Sequence, residues 1–412
     1  MGTMDKIKLY GFGVVGQGFQ SYLDKNEEAK RLHTIIVKNE SKKRKKVDSI
    51  IELTNPKTIK DKDVGVVLEL ISSSDEAYGI VAENLEVGKK VISANKKLIA
   101  ENLEDLILKE KKGNGIFLYE GAVCGSIPII RILNDLYSNE PINKIQGIFN
   151  GSSNYILSQI FNKEISYQEA LVGAQELGFA EADPTSDVGG YDSLYKLIII
   201  TAHAFGKIVK PNEVLNIGIE SINKNDIEFA KNNNLKIKLI ANVKLINDSL
   251  ELSIFPTLID STNDLFNVED EYNGVVIESE NIGKQFYKGK GAGSLPTGSV
   301  VYSDLNAIDN GYAYSYKKLN TTNISFSNDK KLSVLLSLNE STTIDVLSLN
   351  VDGLFSLEEN GKRFIYETNI QELIKNKFCF TKHNVSILSI DNDEIKFLLK
   401  SKFRLECVGL NY

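Results

Sequence analysis

Short apolar runs alternate with longer amphipathic stretches through the first third of the chain: Ile7 to Tyr10, Thr34 to Val37, Gly65 to Leu70, Val91 to Ala94 and Phe117 to Glu120. A strand covered by helices on both faces reads as a near-continuous apolar run, as Val66-Val67-Leu68 and Val91-Ile92 do. The pattern predicts βαβ units in a doubly wound parallel sheet. From about Asn143 to Ser299 the rhythm changes to one strand (Ile145 to Asn150), two helical stretches (Ser153 to Phe161 and Ser193 to Phe205) and strand-like runs at Leu239 to Leu245, Leu250 to Phe255 and Val275 to Ile277. Asn-Asp and Asn-Gly turn signals separate those runs, and together they predict an α+β domain. The Ser/Asn/Lys-rich stretch Lys317 to Lys331 reads as a boundary. Beyond it Leu332 to Leu338, Thr343 to Leu349, Val385 to Ile390 and Ile395 to Leu399 alternate as strands do.

Composition narrows the class. The 412 residues, 42% apolar and 25% charged, suffice for two or three cores. A net charge of −7 and a pI near 5.4 leave no overall attraction to nucleic acid or to acidic membrane surfaces. Cys124, Cys379 and Cys407 lack both the paired spacing of a zinc site and the density of a secreted disulfide scaffold, which fits a reducing cytoplasm. No apolar signal core follows Met1, and no segment approaches the roughly eighteen consecutive apolar residues of a membrane span, so neither secretion nor membrane insertion is expected.

Gly11-Phe12-Gly13-Val14-Val15-Gly16 follows the first apolar run directly and opens a helical stretch. In that context a G-x-G-x-x-G segment lets the backbone approach a pyrophosphate at a helix N-terminus. The alternative is a tight strand-to-helix turn without a ligand; the βαβ rhythm that follows favours a dinucleotide, NADP or NAD. After Ile35-Ile36-Val37 the chain places Lys38, Asn39 and the basic run Lys42 to Lys46 where a carboxylate would favour a free ribose 2′-hydroxyl. Lys38 is therefore the candidate for a 2′-phosphate, and so for NADP, against a solvated basic loop; Glu40 leaves dual use open. The fold class is α/β: an N-terminal Rossmann-type doubly wound sheet over 1–135, on which 300–325 packs back, a central α+β domain over 136–299 and a small C-terminal α+β domain over 326–412.

Hydride transfer to a carbonyl needs a group that protonates or stabilises the nascent alkoxide, and a lysine can do this. The segment Glu181 to Lys196 gathers four carboxylates and one lysine around the Gly189-Gly190 turn. The helix that follows puts Asp192 and Lys196 four residues apart on one face. They read either as an ordinary capping carboxylate with its salt bridge or as a pair whose protonation an apolar helix makes tunable. His203, further along that face, reads as a packed core residue rather than a ligand or base.

The run Ala174 to Lys196, AQELGFAEADPTSDVGGYDSLYK, resembles the signature segment of homoserine dehydrogenases. Ser93-Ala94-Asn95-Lys96, Glu120 to Pro128, Phe149 to Leu157 and Gly289 to Thr297 match that family in order, so the resemblance covers roughly Lys6 to Asp304. It implies NAD(P)-dependent interconversion of L-aspartate 4-semialdehyde and L-homoserine, a small-molecule reaction of threonine and methionine biosynthesis in the cytoplasm. It implies Lys196 as acid/base at the substrate oxygen, Asp192 orienting it and contacting substrate, Glu181 and Asp187 receiving the ammonium group, and Lys96 between cofactor and substrate. Ser72, Gly178, Gly291 and Gly293 would line the cofactor cleft with Gly11 to Gly16. A structural monovalent cation such as sodium would sit on the Glu120 carboxylate and the carbonyls of Val123, Gly125 and Ile127. A homodimer, or an oligomer built from dimers, through the central domain is implied as well.

Ser72-Ser73 stands where that family usually has Gly-Gly, Cys124 and Ser126 replace smaller residues, and Asn273-Gly274 replaces Asn-Ala. None removes a proposed catalytic group, and Cys124 reads as a small packed thiol rather than an oxidation-sensitive one. The tail after Ser325 has two readings: a divergent ACT-like regulatory module, with threonine feedback as its consequence, or another small α+β domain used for assembly. Two rival functions remain. One is a non-enzymatic NADP sensor, against which the joint retention of Lys196, Asp192, Glu181, Asp187 and Lys96 argues; the other is an amino-acid dehydrogenase acting on a different carbonyl or imine.

Overall fold

The computed structural model describes residues 5–38, 64–321, 324–329, 331–347, 349, 353–357 and 362–407; Asn39, Glu40 and the basic run Lys42 to Lys46 lie outside them. The chain divides into two compact units, one of residues 1–141, 195–211 and 289–323 and the other of 142–194, 212–288 and 324–412.

In the first unit five parallel strands, β1 (Lys6–Tyr10), β2 (Leu32–Ile36), β3 (Val64–Glu69), β4 (Lys90–Ser93) and β5 (Ile116–Leu118), stand in the order β2-β1-β3-β4-β5. Ile7, Leu9, Val66, Val67, Leu68, Val91 and Ile92 are wholly buried, the two-faced burial that unbroken apolar runs predict. Strand order reverses between β1 and β3, and a doubly wound sheet gathers ligands outside the carboxyl ends of its strands at such a point. Two helices begin at that edge with their own side-chain caps. Ser73 accepts from Glu76 N ahead of Ser74–Glu86, and Asn95 accepts from Leu98 N ahead of Lys96–Gly113. The helix Ser294–Asp309 packs on Val14–Lys25 so closely that a Cβ on Gly18 would lie 1.9 Å from the Ser294 carbonyl oxygen. Arg31 holds the far end of that pair through both oxygens of Asp309, at 2.7 and 2.9 Å.

The second unit is built on β6 (Ile142–Ile148), β7 (Leu215–Asn216), β8 (Lys236–Ile246), β9 (Ser249–Ile259), β10 (Tyr272–Ser279), β11 (Gly283–Lys290), β12 (Ser325–Phe326), β13 (Lys331–Ser337), β14 (Leu354–Ser356), β15 (Arg363–Asn369) and β16 (Ser386–Ile390). They make one mixed sheet in the order β11-β10-β6-β8-β9-β16-β13-β15-β14, with β7 and β12 also paired to β9. The β8–β9 hairpin turns at Asn247-Asp248, both left-handed, as the Asn-Asp signal predicts. β16 runs parallel to β9, with Ser389 opposite Thr257, so the strands of the tail continue the central sheet. Tail and centre also share a core, in which Leu215, Ile217 and Phe255 pack with Val334, Leu336, Tyr366 and Ile387.

Two tail segments depart from the predicted strands. Ile395 to Leu399 lies in the helix Asp393–Cys407, where Asn392 Oδ1 accepts from Ile395 N at 2.8 Å and Asp393 and Glu394 fill the first turn. Ile395 and Leu399 are an i,i+4 pair, a spacing that a short alternation imitates. Within Thr343 to Leu349 lies the 3-10 turn Ile344–Leu347. Among the described residues no helix is long and apolar enough to cross a membrane.

Candidate active site

The three fingerprint glycines serve different ends. Gly11 leaves β1 with φ +89°, and a Cβ there would meet Leu70 O at 2.4 Å. A Cβ on Gly16 would stand 2.7 Å from Gly11 O, so that glycine lets helix and loop close on each other. Gly13, the N-cap of Val14–Lys25, would meet nothing within 4 Å, and no acidic side chain occupies the first turn of that helix. The result is an open backbone at a helix N-terminus, suited to an anion. Phe12 is buried beneath the loop, Val15 is half-buried and Val14 is 65% exposed. Ser294 Oγ donates to Val14 O at 2.8 Å, tying Gly293 (φ +123°) to the fingerprint loop. Gly291 lies instead against Gly125, whose added Cβ would be 2.4 Å from Gly291 O.

At the carboxyl ends of β3 and β4 a closed ring of hydrogen bonds fixes the neighbouring loops. Glu69, wholly buried, accepts from Ile71 N at 2.8 Å and from Ser93 Oγ at 2.5 Å. Ser93 Oγ accepts from Asn95 N at 3.1 Å, and Asn95 Nδ2 donates to Ile71 O at 3.2 Å. The ring sets Ser72, exposed, and Lys96, half-buried at the head of its helix, along one edge of the sheet. Burial pushes the Glu69 carboxyl up to about 7 in spite of both hydrogen bonds. Lys38, beyond β2, is exposed and pairs with Glu76 at 2.9 Å, a surface contact of small worth.

In the second unit the double-glycine turn is obligatory. Gly190 has φ +79° and a Cβ on it would meet Asn216 Oδ1 at 2.4 Å, while Asn216 Nδ2 donates to Gly189 O at 2.9 Å. The helix Tyr191–Phe205 starts there, carrying Asp192 (3% exposed) and, one turn on, Lys196 (7% exposed). Asn150, 4% exposed, donates from Nδ2 to Asp187 at 2.7 Å and to Asp192 at 3.0 Å. Its Oδ1 accepts from Ser153 N at 2.7 Å and so caps the helix Gly151–Lys163. Glu181 is exposed on a loop held by Gln175 Nε2 on its carbonyl at 3.0 Å, and Gly178, φ +76°, lies just beyond the helix Tyr167–Glu176.

Back in the first unit, Glu120 is 1% exposed and accepts from Ile130 N and Arg131 N, both at 2.8 Å, at the start of the helix Ile129–Asp135. Asp304 accepts from Glu120 N at 3.0 Å and from the Arg131 guanidinium. Burial, and then Asp304, push Glu120 up to about 8, and burial raises Asp304 to about 6. Cys124 and Gly125 both have φ +55° and turn the loop; Cys124 is a wholly buried thiol, and Ile127 O accepts from Ile129 N at 2.8 Å. His203 is a core residue: Tyr119 Oη meets its Nε2 at 2.8 Å, Tyr314 and Tyr316 pack on it, and burial pushes the imidazole down to about 3.

A family model described as homoserine dehydrogenase matches residues 128–305, and one described as the homoserine dehydrogenase NAD binding domain matches 11–120. The homoserine dehydrogenase of Bacillus subtilis is 36% identical over 316 residues, 74% of this chain and 72% of that protein. That of Lactococcus lactis is 33% identical over 316 residues, 73% of each. The chain belongs to the homoserine dehydrogenase family. It is thereby an NAD(P)-dependent oxidoreductase acting on a small molecule. In structure, the homoserine dehydrogenase of Thiobacillus denitrificans superposes with a TM-score of 0.79 at 26% identity, over 95% of this chain and 99% of that one.

Of the residues that a homoserine dehydrogenase reading singles out, Gly11 to Gly16, Lys38, Ser72, Lys96, Lys196, Gly291 and Gly293 belong to the first unit, and Gly178, Glu181, Asp187 and Asp192 to the second. Asp187 and Asp192 are brought together, through Asn150; Lys38 and Glu181 stand at the surface. Asn150, Glu69 and Ser294 carry structural weight that sequence reasoning assigned to none of them. An Asn ahead of a helical stretch signals a cap, which Asn150 is, but its other partners are 37 and 42 residues away.

Proposed function

We propose that this homoserine dehydrogenase interconverts L-aspartate 4-semialdehyde and L-homoserine, NADP(H) being its preferred cofactor, with Lys196 as acid/base. The observation carrying the reading is a nearly buried amine, Lys196, one turn beyond a carboxylate, Asp192, on the helix launched by the double-glycine turn. A bound nicotinamide would supply or accept the hydride. In reduction Lys196 gives a proton to the aldehyde oxygen as it becomes hydroxyl, and in oxidation it takes that proton back. Asp192 orients the amine and, with Asp187 and Glu181, offers negative charge to the substrate's α-ammonium group. Lys96, on the sheet edge, serves cofactor and substrate. The pyrophosphate would rest on the open backbone from Gly11 through Gly16, with Ser72, Gly178, Gly291 and Gly293 along the rest of the cofactor. Lys38 can exchange its weak pairing with Glu76 for a 2′-phosphate, which favours NADP over NAD.

The Glu120 loop fits a structural monovalent cation such as sodium. Glu120 and Asp304, two buried carboxylates, share one guanidinium and so lack a positive charge, and the carbonyls of Val123, Gly125 and Ile127 are hard oxygen ligands on the same loop. Residues 1–135 with 300–325 would serve the dinucleotide, 136–299 the substrate and a homodimer contact, and 326–412 would be a small α+β domain, used for assembly or as an ACT-like regulatory module, in a cytoplasmic enzyme. Light scattering tests the dimer. Titration of threonine into the full chain tests the last role, since no heat at millimolar ligand would remove it.

Mixing L-homoserine with NADP+ at alkaline pH is expected to raise the absorbance of reduced nicotinamide, and more slowly with NAD+. A flat trace with both cofactors would reject the reaction, and a higher kcat/KM for NAD+ would reject the preference.

A further inference from the structure

We propose that Asn150 is a positioning residue of the substrate site: its amide holds Asp187 and Asp192 together as ionised carboxylates directed at one cation, the α-ammonium group of the amino-acid substrate. The inference rests on the reading of those two aspartates as substrate ligands.

The orientation of the amide is fixed by its surroundings. Oδ1 is committed to Ser153 N at 2.7 Å, and an N–H can be met there only by an acceptor. Nδ2 therefore faces the carboxylates, one hydrogen toward Asp187 at 2.7 Å and the other toward Asp192 at 3.0 Å. The backbone on either side is held as well: Asn273 Nδ2 donates to Phe149 O at 3.0 Å, and Asn150 O accepts from Asn154 N at 3.3 Å. Two carboxylates brought to one point repel each other, which disfavours both charges unless something donates to them. An arginine or lysine would do so by cancelling charge that a substrate cation needs. A primary amide donates twice and adds no charge of its own, so it brings the two acids together without drawing on the negative charge that a substrate cation would meet, in a setting that is nearly dry around Asp192 (3% exposed). Asparagine is the residue type that can cap a helix with one end and bridge two acids with the other.

Two substitutions separate bridging from capping. Asn150→Ser keeps a cap oxygen and loses the reach to the carboxylates; Asn150→Asp keeps cap oxygen and reach and loses the donor. Each is expected to raise the KM for L-homoserine at least about tenfold, with kcat lowered less and the KM for NADP unchanged. A merely structural role would move both KM values together or neither. Either variant, folded and with the wild-type KM for homoserine, overturns the proposal. Asp187→Asn and Asp192→Asn mark the underlying reading: if both leave that KM untouched, the aspartates are not substrate ligands and the proposal falls with them. If they raise it and the Asn150 variants do not, the role of Asn150 alone falls.

Discussion

A single methyl group distinguishes the roles of the fingerprint glycines. Gly13→Ala adds a methyl where nothing lies within 4 Å, so the melting temperature is expected to hold while the KM for NADP rises, the methyl standing where the phosphate would lie. Gly11→Ala forces a Cβ to 2.4 Å from Leu70 O at φ +89° and is expected to lower the melting temperature itself. Thermal melts read beside cofactor KM values check the pair, and equal effects at both positions would contradict the division of roles. Lys196→Ala is expected to cost at least about a hundredfold in turnover with NADPH binding retained; near-normal turnover would exclude the acid/base role. At this scale, legibility followed distance along the chain. The glycine spacing and the Asp192–Lys196 interval could be read because each pattern is local. Asn150 with Asp187, and Glu69 with Ser93, could not, because only the folded sheet and loops bring such partners together.

Elements read well where one physical cause set the pattern. Burial on both faces wrote the parallel strands into the sequence as apolar runs, and the Asn-Asp turn announced the β8–β9 hairpin. The helix Asp393–Cys407 was misread because Ile395 and Leu399 satisfy both periodicities over so short a span. The loop from Glu120 to Ile127 carries a consequence for pH. The Glu120 carboxyl is ordinarily near 4.5 and is pushed up to about 8 by burial and by Asp304. Between those values the folded chain keeps a proton that the unfolded chain releases, so this group makes stability fall as pH rises from about 5 to about 8. A sodium ion bound beside the ionised carboxylate, as proposed, would offset that loss. Replacing choline chloride by sodium chloride at constant ionic strength is expected to raise the melting temperature by several degrees near pH 8 and little near pH 5.5. Equal shifts at the two pH values would remove the cation from this loop.

Across the whole molecule, the tail is the part that the sequence described least, because two of its strands, β12 and β16, pair with β9 far back in the chain and its core is shared with the central residues. β16 pairs with β9, and Leu215, Ile217 and Phe255 share a core with tail residues. Removing residues 324–412 would bare those side chains and an edge of the central sheet, and the shortened chain is expected to aggregate rather than fold. Soluble, active protein from that deletion would show the tail to be dispensable. Lys377, on the helix Ile370–Lys382, reaches out of the tail to donate to Asn216 O at 2.5 Å. The side chain of Asn216 grips Gly189, and three residues later stands Asp192. Two adjacent hydrogen bonds on one residue thus tether a peripheral helix of the tail to the double-glycine turn, so the tail braces the start of the helix on which Asp192 stands.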